Sequence, residues 1–577
     1  MRKIVKYFEP YIPQFLLLIF FVTGQAYVNL TLPDFTARIV NEGVSRNDFG
    51  VIYIVGIEML LITLVGGLFT VIAGYLAAKV AAGYAKDLRQ AAFTKVESFS
   101  LAEFNIFSSS SLITRATNDI QQLQNVLMML MRMTFLAPIM GVGAIIKAEQ
   151  IAPSMSWIMF DAIGSLVVVL AALFILAVPK FTLIQQLVDR LGLQMREMLV
   201  GVRVIRAYGK DREMEGKFDK TNRESTDLNI FVGKMMSLIS PVMILLMGLT
   251  SVAVVWVGAY LVQAGELNLG HIVALMQYIS QAIFSFFMLS IIFIMIPRAA
   301  VSAKRIDEIL EVEPRIKDPE KPEKLPEVVR GVVEFKDVSF SYEGSENPVL
   351  TGISFVARPG ETTAIIGSTG AGKSTLLNLI PRLYEVTVGC ITLDGIDIRH
   401  ITQHDLHSQI GYIPQRAMLF SGTVKSNISY GNKYADDAGI EKAADIAQAS
   451  EFIHNLKDGI ESPISQGGSN VSGGQKQRLS IARALAKKAP VILFDDSFSA
   501  LDYRTDAALR DALQRELKSS TIIIVAQRIS TIMNADNILV LDDGHIVGQG
   551  KHKELLAICP VYQEIAASQL SVQELDR

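Results

Sequence analysis

The sequence predicts two domains of different fold class: an all-α membrane domain with six spanning helices, and an α/β domain after it. Half of the 577 residues are hydrophobic, and the apolar ones concentrate before about residue 300. A stretch rich in proline and charge follows at 311–327, which is typical of a linker. Short β-rich runs then alternate with helical ones. We expect a membrane domain over 1–310, a linker over 311–330 and an α/β domain over 331–577.

Six apolar runs in the first domain are long enough to cross a membrane. A hydrocarbon core about 30 Å thick needs roughly 20 helical residues. The runs lie near 11–33, 51–79, 127–147, 155–178, 235–264 and 271–297. Polar, helix-favouring sequence continues the second, third and fourth runs. We therefore expect several helices to extend well beyond the bilayer on one side.

Lysine and arginine indicate which side of the membrane these extensions occupy. Five basic residues lie within 79–126 and eleven within 180–234, whereas the three opposite loops carry far fewer, among them Arg46 and Lys147. The positive-inside rule then places both termini and the extensions in the cytoplasm. Short loops such as 263–268 are expected on the outside.

A few polar side chains interrupt the apolar runs. Glu58 and Asp161 indicate a site for cationic substrates or protons, a polar contact between helices, or a group protonated near the interface, because charge inside a bilayer is costly. The methionine-rich run 127–133 favours ordinary helix packing over an adaptable drug-binding surface, although methionine suits both. Arg132 lies near the cytoplasmic end of its run, so we expect its guanidinium to extend to the interface.

Composition argues against some classes of partner and site. The net charge of −3 gives no reason to expect nucleic acid as a partner. The two cysteines, Cys390 and Cys559, lie in no CxxC pattern. We expect two free thiols rather than a disulfide or a metal site.

The second domain carries a phosphate-binding motif in the context that such a motif requires. Residues 367–374 read GSTGAGKS and fit GxxxxGK[ST] at every fixed position. The motif follows an apolar strand and opens a helix, so its backbone N–H groups can surround phosphates. Lys373 should reach the β- and γ-phosphates, and Ser374 should bind Mg²⁺. The predicted ATP-binding residues of this loop are Gly367, Ser368, Thr369, Gly370, Ala371, Gly372, Lys373, Ser374 and Thr375.

An apolar run that ends in an acid is the second half of this nucleotide site. The run VILFD ends at Asp495, which should hold Mg²⁺ through water at the end of a buried strand. The two motifs together predict that the chain binds ATP or GTP.

Another glycine-rich segment at a helix N-terminus narrows the class of protein. It consists of Val471, Ser472, Gly473, Gly474 and Gln475, about 100 residues after the phosphate-binding loop and about 20 before Asp495. In this order and spacing the motifs resemble the nucleotide-binding domain of ABC transporters. The six spans resemble the membrane domain of ABC exporters, in the type represented by bacterial multidrug half-transporters. The resemblance therefore covers the whole chain.

This resemblance implies an ATPase that drives the efflux of amphipathic drugs or lipids across the bacterial inner membrane. It also implies a dimer, because each ATP lies between the phosphate-binding loop of one subunit and the signature motif, 471–475, of the other. Tyr342 matches the aromatic residue that stacks on adenine, and Gln415 matches a glutamine that binds Mg²⁺. The stretches near 100–111 and 203–213 resemble coupling helices that dock on nucleotide-binding domains. The residues that match the D-loop between the two sites are Ser499, Ala500, Leu501 and Asp502.

Two catalytic positions depart from the family pattern. Asp496 stands where the family has a glutamate that polarises the attacking water, and Gln527 stands where it has a histidine near the γ-phosphate. A shorter acid withdraws the carboxylate by about one bond length, and a misplacement of about 1 Å can cost on the order of a hundredfold in rate. Gln466, upstream of the signature motif, also replaces a common acid.

The signature motif itself is intact, so we expect a heterodimer with a second half-transporter. The phosphate-binding loop of this chain would form a degenerate site that binds ATP and Mg²⁺ and turns ATP over slowly. Its signature motif would complete the competent site of the partner. Two alternatives stay open: a regulatory or gating subunit that binds ATP without pumping, and an importer of siderophore-like substrates with exporter architecture.

Overall fold

The computed structural model describes residues 2–570, apart from the side chains of Arg2, Val178, Thr182, Phe293, Ile294 and Arg298. The chain divides into two compact units. The first unit contains Met1–Glu97 and Ser109–Val312, and the second contains Ser98–Ser108 and Glu313–Arg577. A short segment from within the membrane half of the sequence therefore groups with the α/β half.

Helices dominate the chain up to residue 312. Within the described residues, six helical stretches are long and apolar enough to cross a membrane, and each overlaps one of the predicted runs. The prediction of six spans is therefore confirmed. The helices are α1 (Arg2–Lys6), α2 (Ile12–Arg38), α3 (Phe49–Glu97), α4 (Leu101–Ile106, in the second unit), α5 (Ser109–Thr114), α6 (Ile120–Ile151), α7 (Ser156–Ala207), α8 (Asp211–Ser237), α9 (Ile239–Gln263) and α10 (Leu269–Glu311).

Several of these helices are much longer than a bilayer requires. α3, α7 and α10 contain 49, 52 and 43 residues, which corresponds to about 65–78 Å at a rise of 1.5 Å per residue. Small side chains let the helices approach closely, as they do in other membrane bundles. Ala73 and Ala77 of α3 are fully buried in a cluster with Leu18 and Val22 of α2.

Polar contacts also join the spanning helices of the first unit. Glu58 on α3 lies 3.3 Å from the guanidinium of Arg38 on α2. Asp34 on α2 lies 2.7 Å from the ammonium of Lys147 on α6 and accepts a hydrogen bond of 2.6 Å from the hydroxyl of Tyr278 on α10. For Glu58 the structure therefore supports the alternative of a polar contact between helices.

The second unit contains the strands of the protein. They are β1 (Val333–Phe340), β2 (Leu350–Ala357), β3 (Thr362–Gly367), β4 (Val388–Leu393), β5 (Ile396–Asp397), β6 (Ile410–Ile413), β7 (Gly422–Thr423), β8 (Pro463–Ile464), β9 (Val491–Asp495), β10 (Thr521–Val525), β11 (Asn537–Asp542) and β12 (His545–Gly550). The helices between and after them are α11 (Lys373–Leu379), α12 (Gln403–Ser408), α13 (Val424–Ser429), α14 (Asp437–Ile446), α15 (Ser450–His454), α16 (Gly473–Ala486), α17 (Tyr503–Glu516), α18 (Ile529–Ile532), α19 (His552–Ile558) and α20 (Pro560–Gln569).

The central sheet has six strands in the order β12-β11-β3-β10-β9-β6. All neighbours from β11 to β6 pair in parallel, and β12 pairs antiparallel with β11. Every residue of β9 and β10 is buried, because strands of a parallel sheet are covered on both faces. The alternation of strands and helices in the sequence thus corresponds to a largely parallel central sheet.

The first β-rich run after the linker, which forms β1, belongs to a different sheet. β1 lies in an antiparallel sheet of order β2-β1-β4-β5. Buried and less buried residues largely alternate along β1, which is the pattern of a strand with one face on the core. Phe335 of β1 and Phe355 of β2 are register partners, and their rings stack with centroids 4.5 Å apart.

Truncating this stacked pair should destabilise the second unit. Phe335 is 2% exposed, so Phe335→Ala should lower the free energy of unfolding by about 3–5 kcal/mol. Val388→Ala, at an exposed position of β4, should change it by less than about 0.5 kcal/mol. Thermal unfolding of the full-length variants in detergent measures both effects. Equal melting temperatures for the two variants would contradict this assignment of the core.

Candidate nucleotide-binding site

The predicted phosphate-binding loop lies between β3 and α11. Gly370 and Gly372 have φ values of +92° and +94°, which residues with side chains rarely adopt. A methyl group built on Gly367 would lie 2.0 Å from the carbonyl oxygen of Leu541, so no side chain fits there. The loop therefore depends on glycine both for its turn and for its close contact with the neighbouring strand.

Lys373, the first residue of α11, is folded over its own loop. Its ammonium donates hydrogen bonds to the carbonyl oxygens of Gly367 at 2.9 Å and Ser368 at 2.7 Å. Burial lowers the pKa of Lys373, and the charges of Asp496 and Asp495 oppose that shift. Phosphate oxygens are stronger acceptors for an ammonium than neutral carbonyls are. A bound phosphate chain would therefore compete well for this side chain.

Ser374 and Asp495 form the pair that fits a magnesium ion. The Ser374 hydroxyl donates a hydrogen bond of 2.8 Å to Oδ1 of Asp495. Burial raises the pKa of Asp495, the Ser374 hydroxyl and the Lys373 charge oppose the rise, and the Asp496 charge adds to it. Oxygen ligands of this kind suit Mg²⁺, which is commonly bound by one or two carboxylates together with substrate phosphates. Among the residues that the structure describes, no cluster of three or more His, Cys, Asp or Glu forms a separate metal cage.

Three adjacent parallel strands deliver three more of the predicted site residues to one edge of the sheet. Gln415 follows β6, Asp496 follows β9 and Gln527 follows β10. The amide of Gln415 donates a hydrogen bond of 3.1 Å to Oδ2 of Asp496. The amide of Gln527 donates one of 2.8 Å to the same oxygen. The two positions that depart from the family pattern are thus in direct contact.

The backbone of Asp496 is held as firmly as its side chain. Its φ is +46°, a left-handed conformation that aspartate adopts more readily than most residues. Its N–H donates to Val525 O at 2.9 Å, and its carbonyl accepts a hydrogen bond of 2.8 Å from the Ser499 hydroxyl. The carboxylate therefore points toward the two glutamines, and only Oδ1 is left without a donor from either amide.

Tyr342 lies beside the helix that carries the phosphate-binding loop. Its hydroxyl is 2.9 Å from the Thr375 hydroxyl, and its ring packs edge-on against Phe340 and Tyr384. A cavity of about 390 Å³ adjoins it, and residues of α4 line the same cavity. The amide of Asn105 on α4 donates to the Tyr384 hydroxyl at 3.2 Å.

Sequence reasoning missed Tyr384 and the contacts of α4, although it selected the stretch near 100–111. Glu103 of α4 is buried and accepts hydrogen bonds from Ser100 N at 2.7 Å and Arg315 N at 3.2 Å. Burial alone would raise the pKa of Glu103, but these hydrogen bonds outweigh it and the pKa is lowered. The pattern Ser-x-x-Glu is a capping box, so the sequence did carry a signal for this helix. The second selected stretch, 203–213, spans the turn between α7 and α8 in the first unit.

The signature motif forms the exposed N-terminus of α16. Ser472 caps the helix, and Ser472 and Gln475 exchange hydrogen bonds in a capping box. Val471 precedes the cap, and Gly473 and Gly474 form the first turn. A methyl group built on Gly474 would lie 3.4 Å from Ala500 O in the predicted D-loop. Among the described residues, no hydrogen bond joins 471–475 to the phosphate-binding loop.

The rest of the D-loop leads into α17. Leu501 is buried, and Asp502 caps α17 by accepting hydrogen bonds from Thr505 N at 3.0 Å and its hydroxyl at 2.7 Å. Hydrogen bonds from Thr505 lower the pKa of Asp502. Gln466, which is exposed, opens a turn at 466–468 upstream of the signature motif.

Comparison with known proteins places the chain in a family. Residues 350–499 match the ABC transporter family, and residues 15–309, more than half of the chain, match the ABC transporter transmembrane region. The chain belongs to the ABC transporters. It is an exporter half-transporter, with one membrane region fused to one ATP-binding domain, and an integral membrane protein. Membership implies ATP binding and ATP hydrolysis coupled to transport.

Individual relatives agree with this family. The chain is 39% identical to an uncharacterized ABC transporter ATP-binding protein of Mycobacterium tuberculosis, over 94% of this chain and 93% of that protein. It is 32% identical to an ATP-dependent lipid A-core flippase of Syntrophus aciditrophicus, over 82% and 78%. It is 37% identical to YheI of Bacillus subtilis, a probable multidrug resistance ABC transporter ATP-binding/permease protein, over 67% and 66%.

A solved structure shares the fold. A bacterial Atm1-family ABC exporter with ATP bound aligns with a TM-score of 0.79 over 98% of both chains. Its sequence identity of 24% supports the fold alone. The predicted fold class, a six-helix exporter membrane domain with an α/β P-loop NTPase domain, is confirmed.

Removing the Tyr342 ring should weaken ATP binding. Stacking of a base on an aromatic ring contributes about 1–3 kcal/mol, so Tyr342→Ala should reduce ATP affinity by about 5- to 150-fold. Tyr342→Phe keeps the ring and loses only the contact with Thr375, so its affinity should stay close to that of the unchanged chain. Equilibrium binding of a fluorescent ATP analogue to the purified chain measures both.

Tyr434→Ala is the matched control for this prediction, because Tyr434 is 95% exposed in the same unit. Its ATP affinity should not change. If Tyr342→Ala bound the nucleotide as tightly as this control does, Tyr342 would not contact the base.

Proposed function

We propose that this chain is one half of a heterodimeric exporter of amphipathic drugs or lipids, and that its own ATP site is the slow one. The observation that carries the proposal is the engagement of Asp496 by two amides, beside a signature motif whose residues are all present. The flippase and multidrug relatives support an amphipathic substrate. The enrichment of basic residues in the helical extensions supports a bacterial inner-membrane protein with cytoplasmic termini.

ATP binding rests on groups that the chain supplies in full. The loop backbone from Gly367 to Gly372 surrounds the phosphates, Lys373 neutralises their charge, and Tyr342 stacks on the adenine. Ser374, Gln415 and Asp495 are the residues that would hold Mg²⁺. When bound, Mg²⁺ neutralises charge that develops on the phosphates.

The site lacks the side chains that the family uses for ATP hydrolysis. Asp496 has to accept a hydrogen bond from the attacking water, yet one of its oxygens already accepts from Gln415 and Gln527. Gln527 directs its amide at Asp496, and it cannot carry the positive charge of a protonated histidine. These losses affect the transition state more than ATP binding, which depends on the phosphate-binding loop. ATP should therefore stay bound at this site for longer than at a competent one.

The intact signature motif of this chain would complete the ATP site of the partner half-transporter. Ser472, Gly473 and Gly474 lie at the exposed N-terminus of α16, where N–H groups favour a phosphate. Gly474 lies close to Ala500 of the D-loop, so the two segments can respond together to a nucleotide. The competent site would combine these groups with the phosphate-binding loop and the glutamate of the partner.

Restoring the family's glutamate and histidine at positions 496 and 527 should increase ATP hydrolysis. The variant Asp496→Glu with Gln527→His moves the carboxylate outward and frees it from one amide, so Mg²⁺-ATPase turnover should rise by on the order of 10- to 100-fold. The assay needs no partner, because a homodimer of this chain supplies its own signature motif. An unchanged rate, at saturating ATP, would contradict the assignment of a degenerate site.

A matched control makes the same two chemical changes elsewhere in the second unit. Asp511 and Gln514 are exposed on α17, so Asp511→Glu with Gln514→His should leave turnover unchanged. A similar rise in the control would mean that the gain has a general cause.

The heterodimer is tested by purifying the tagged chain from the membrane of its native host. A second ABC half-transporter should copurify in equal amount. It should have glutamate and histidine at the positions that correspond to Asp496 and Gln527. Isolation of this chain alone as a dimer with rapid turnover would contradict the heterodimer. ATP-dependent transport by the reconstituted pair then separates an exporter from a gating subunit.

A further inference from the structure

A methionine-lined cavity lies among three spanning helices of the first unit. It has a volume of about 320 Å³ and lies among α3, α6 and α10. Pockets that bind small molecules span about 300–1,000 Å³, so the cavity is at the lower end of that range. Its lining includes Met128, Met129, Met133 and Met288, together with Gly74 and Arg132.

Arg132 is the charged group of this cavity. Its guanidinium reaches across to α3, where a methyl group built on Gly74 would lie 3.9 Å from Nη1. Among the described residues, Arg132 has neither an ion pair nor a hydrogen bond. By contrast, Arg38 and Lys147, which also lie on spanning helices, are each paired with a carboxylate.

The carboxylates of Glu58 and Asp161, on other parts of the spanning helices, do not pair with the Arg132 guanidinium. Glu58 is already paired with Arg38, and Asp161 is exposed on α7 and does not line the cavity. An arginine stays charged under all ordinary conditions, and a charge in an apolar environment is costly without a partner. The cavity therefore has the electrostatic character of a site for an anion.

We infer that this cavity binds the headgroup of an amphipathic anion, a single carboxylate or phosphate on an alkyl chain. The Arg132 guanidinium can hold either group through two parallel hydrogen bonds. The flexible, polarizable methionines can pack against chains of different shape. This inference names the substrate class of the proposed exporter, and so it rests on that proposed function.

The position of the cavity along the helices fits such a ligand. Arg132 lies five residues into the apolar run 127–147, about 8 Å along the helix axis. With cytoplasmic termini, this depth is close to the inner interface, where a lipid-like anion has its headgroup. Met128 and Met129 are about 40% exposed, which leaves an opening for the chain of the ligand.

The test compares amphiphiles that share a chain and differ in charge. The full-length chain, in uncharged detergent and without nucleotide, is titrated with dodecyl phosphate, laurate and dodecyltrimethylammonium, and binding is followed by calorimetry. Both anions should bind at least tenfold more tightly than the cation, and their ratio decides between phosphate and carboxylate. Equal binding of the cation would overturn the inference.

Variants of Arg132 keep the test independent of general charge effects. Arg132→Gln should lose at least tenfold in affinity for the anions, whereas Arg132→Lys should keep part of it, because a lysine keeps the charge without the two-pronged geometry. Lys86→Gln removes an exposed charge of α3 beyond the apolar run and should change nothing. Unchanged binding by Arg132→Gln would overturn the inference.

Binding without nucleotide separates this inference from the proposed function. If the anions bind through Arg132 but ATP drives no transport, the site stands and the exporter proposal fails. If the reconstituted pair transports amphiphiles regardless of their charge and of Arg132, the exporter proposal stands and the site fails.

Discussion

The parallel pairing of β3, β10, β9 and β6 is the constraint on which the nucleotide site depends. Parallel strands end at the same edge of a sheet, and ligands of such sheets bind at the carboxyl ends of the strands. Here that edge receives the phosphate-binding loop from β3, Gln527 from β10, Asp495 and Asp496 from β9, and Gln415 from β6. The burial of β9 and β10 on both faces keeps these ends in a fixed register.

Within that frame, one carboxylate oxygen defines the character of the site. Oδ2 of Asp496 accepts from two neutral amides, whereas the preceding acid, Asp495, is held by the Ser374 hydroxyl. At the end of β9, the groups that bind phosphate and those that would activate water therefore differ in what holds them. Under the proposed function, the first set is complete, whereas the second is reduced to a buried acid that two amides hold away from a water molecule.

Much of this arrangement could be predicted from the sequence, because it follows from local patterns. The phosphate-binding loop needs a strand, glycines and a helix in direct succession, and the apolar run before Asp495 is too short and too continuous for a surface element. The six spans follow from their length and composition alone.

Other features could not be predicted because they depend on contacts between distant residues. Gln415 and Gln527 are more than one hundred residues apart, and no local pattern indicates that both donate to one oxygen. The hydrogen bond between Arg315 N and Glu103 is one of the contacts that join α4 to the second unit. The place of β1 in the antiparallel sheet follows from its pairing with β2 and β4. The sequence placed Arg132 near the interface, but only the packing of three helices reveals the cavity that it shares with four methionines.

The most direct test of this account is the chemical state of the nucleotide on the phosphate-binding loop of this chain during turnover. The native complex is incubated with a photoreactive ATP analogue labelled at either the α- or the γ-phosphate, and the label crosslinked to this chain is measured over time. The account predicts that the γ-label and the α-label persist together on this chain while the partner loses its γ-label. Rapid loss of the γ-label from this chain, with the α-label retained, would contradict it.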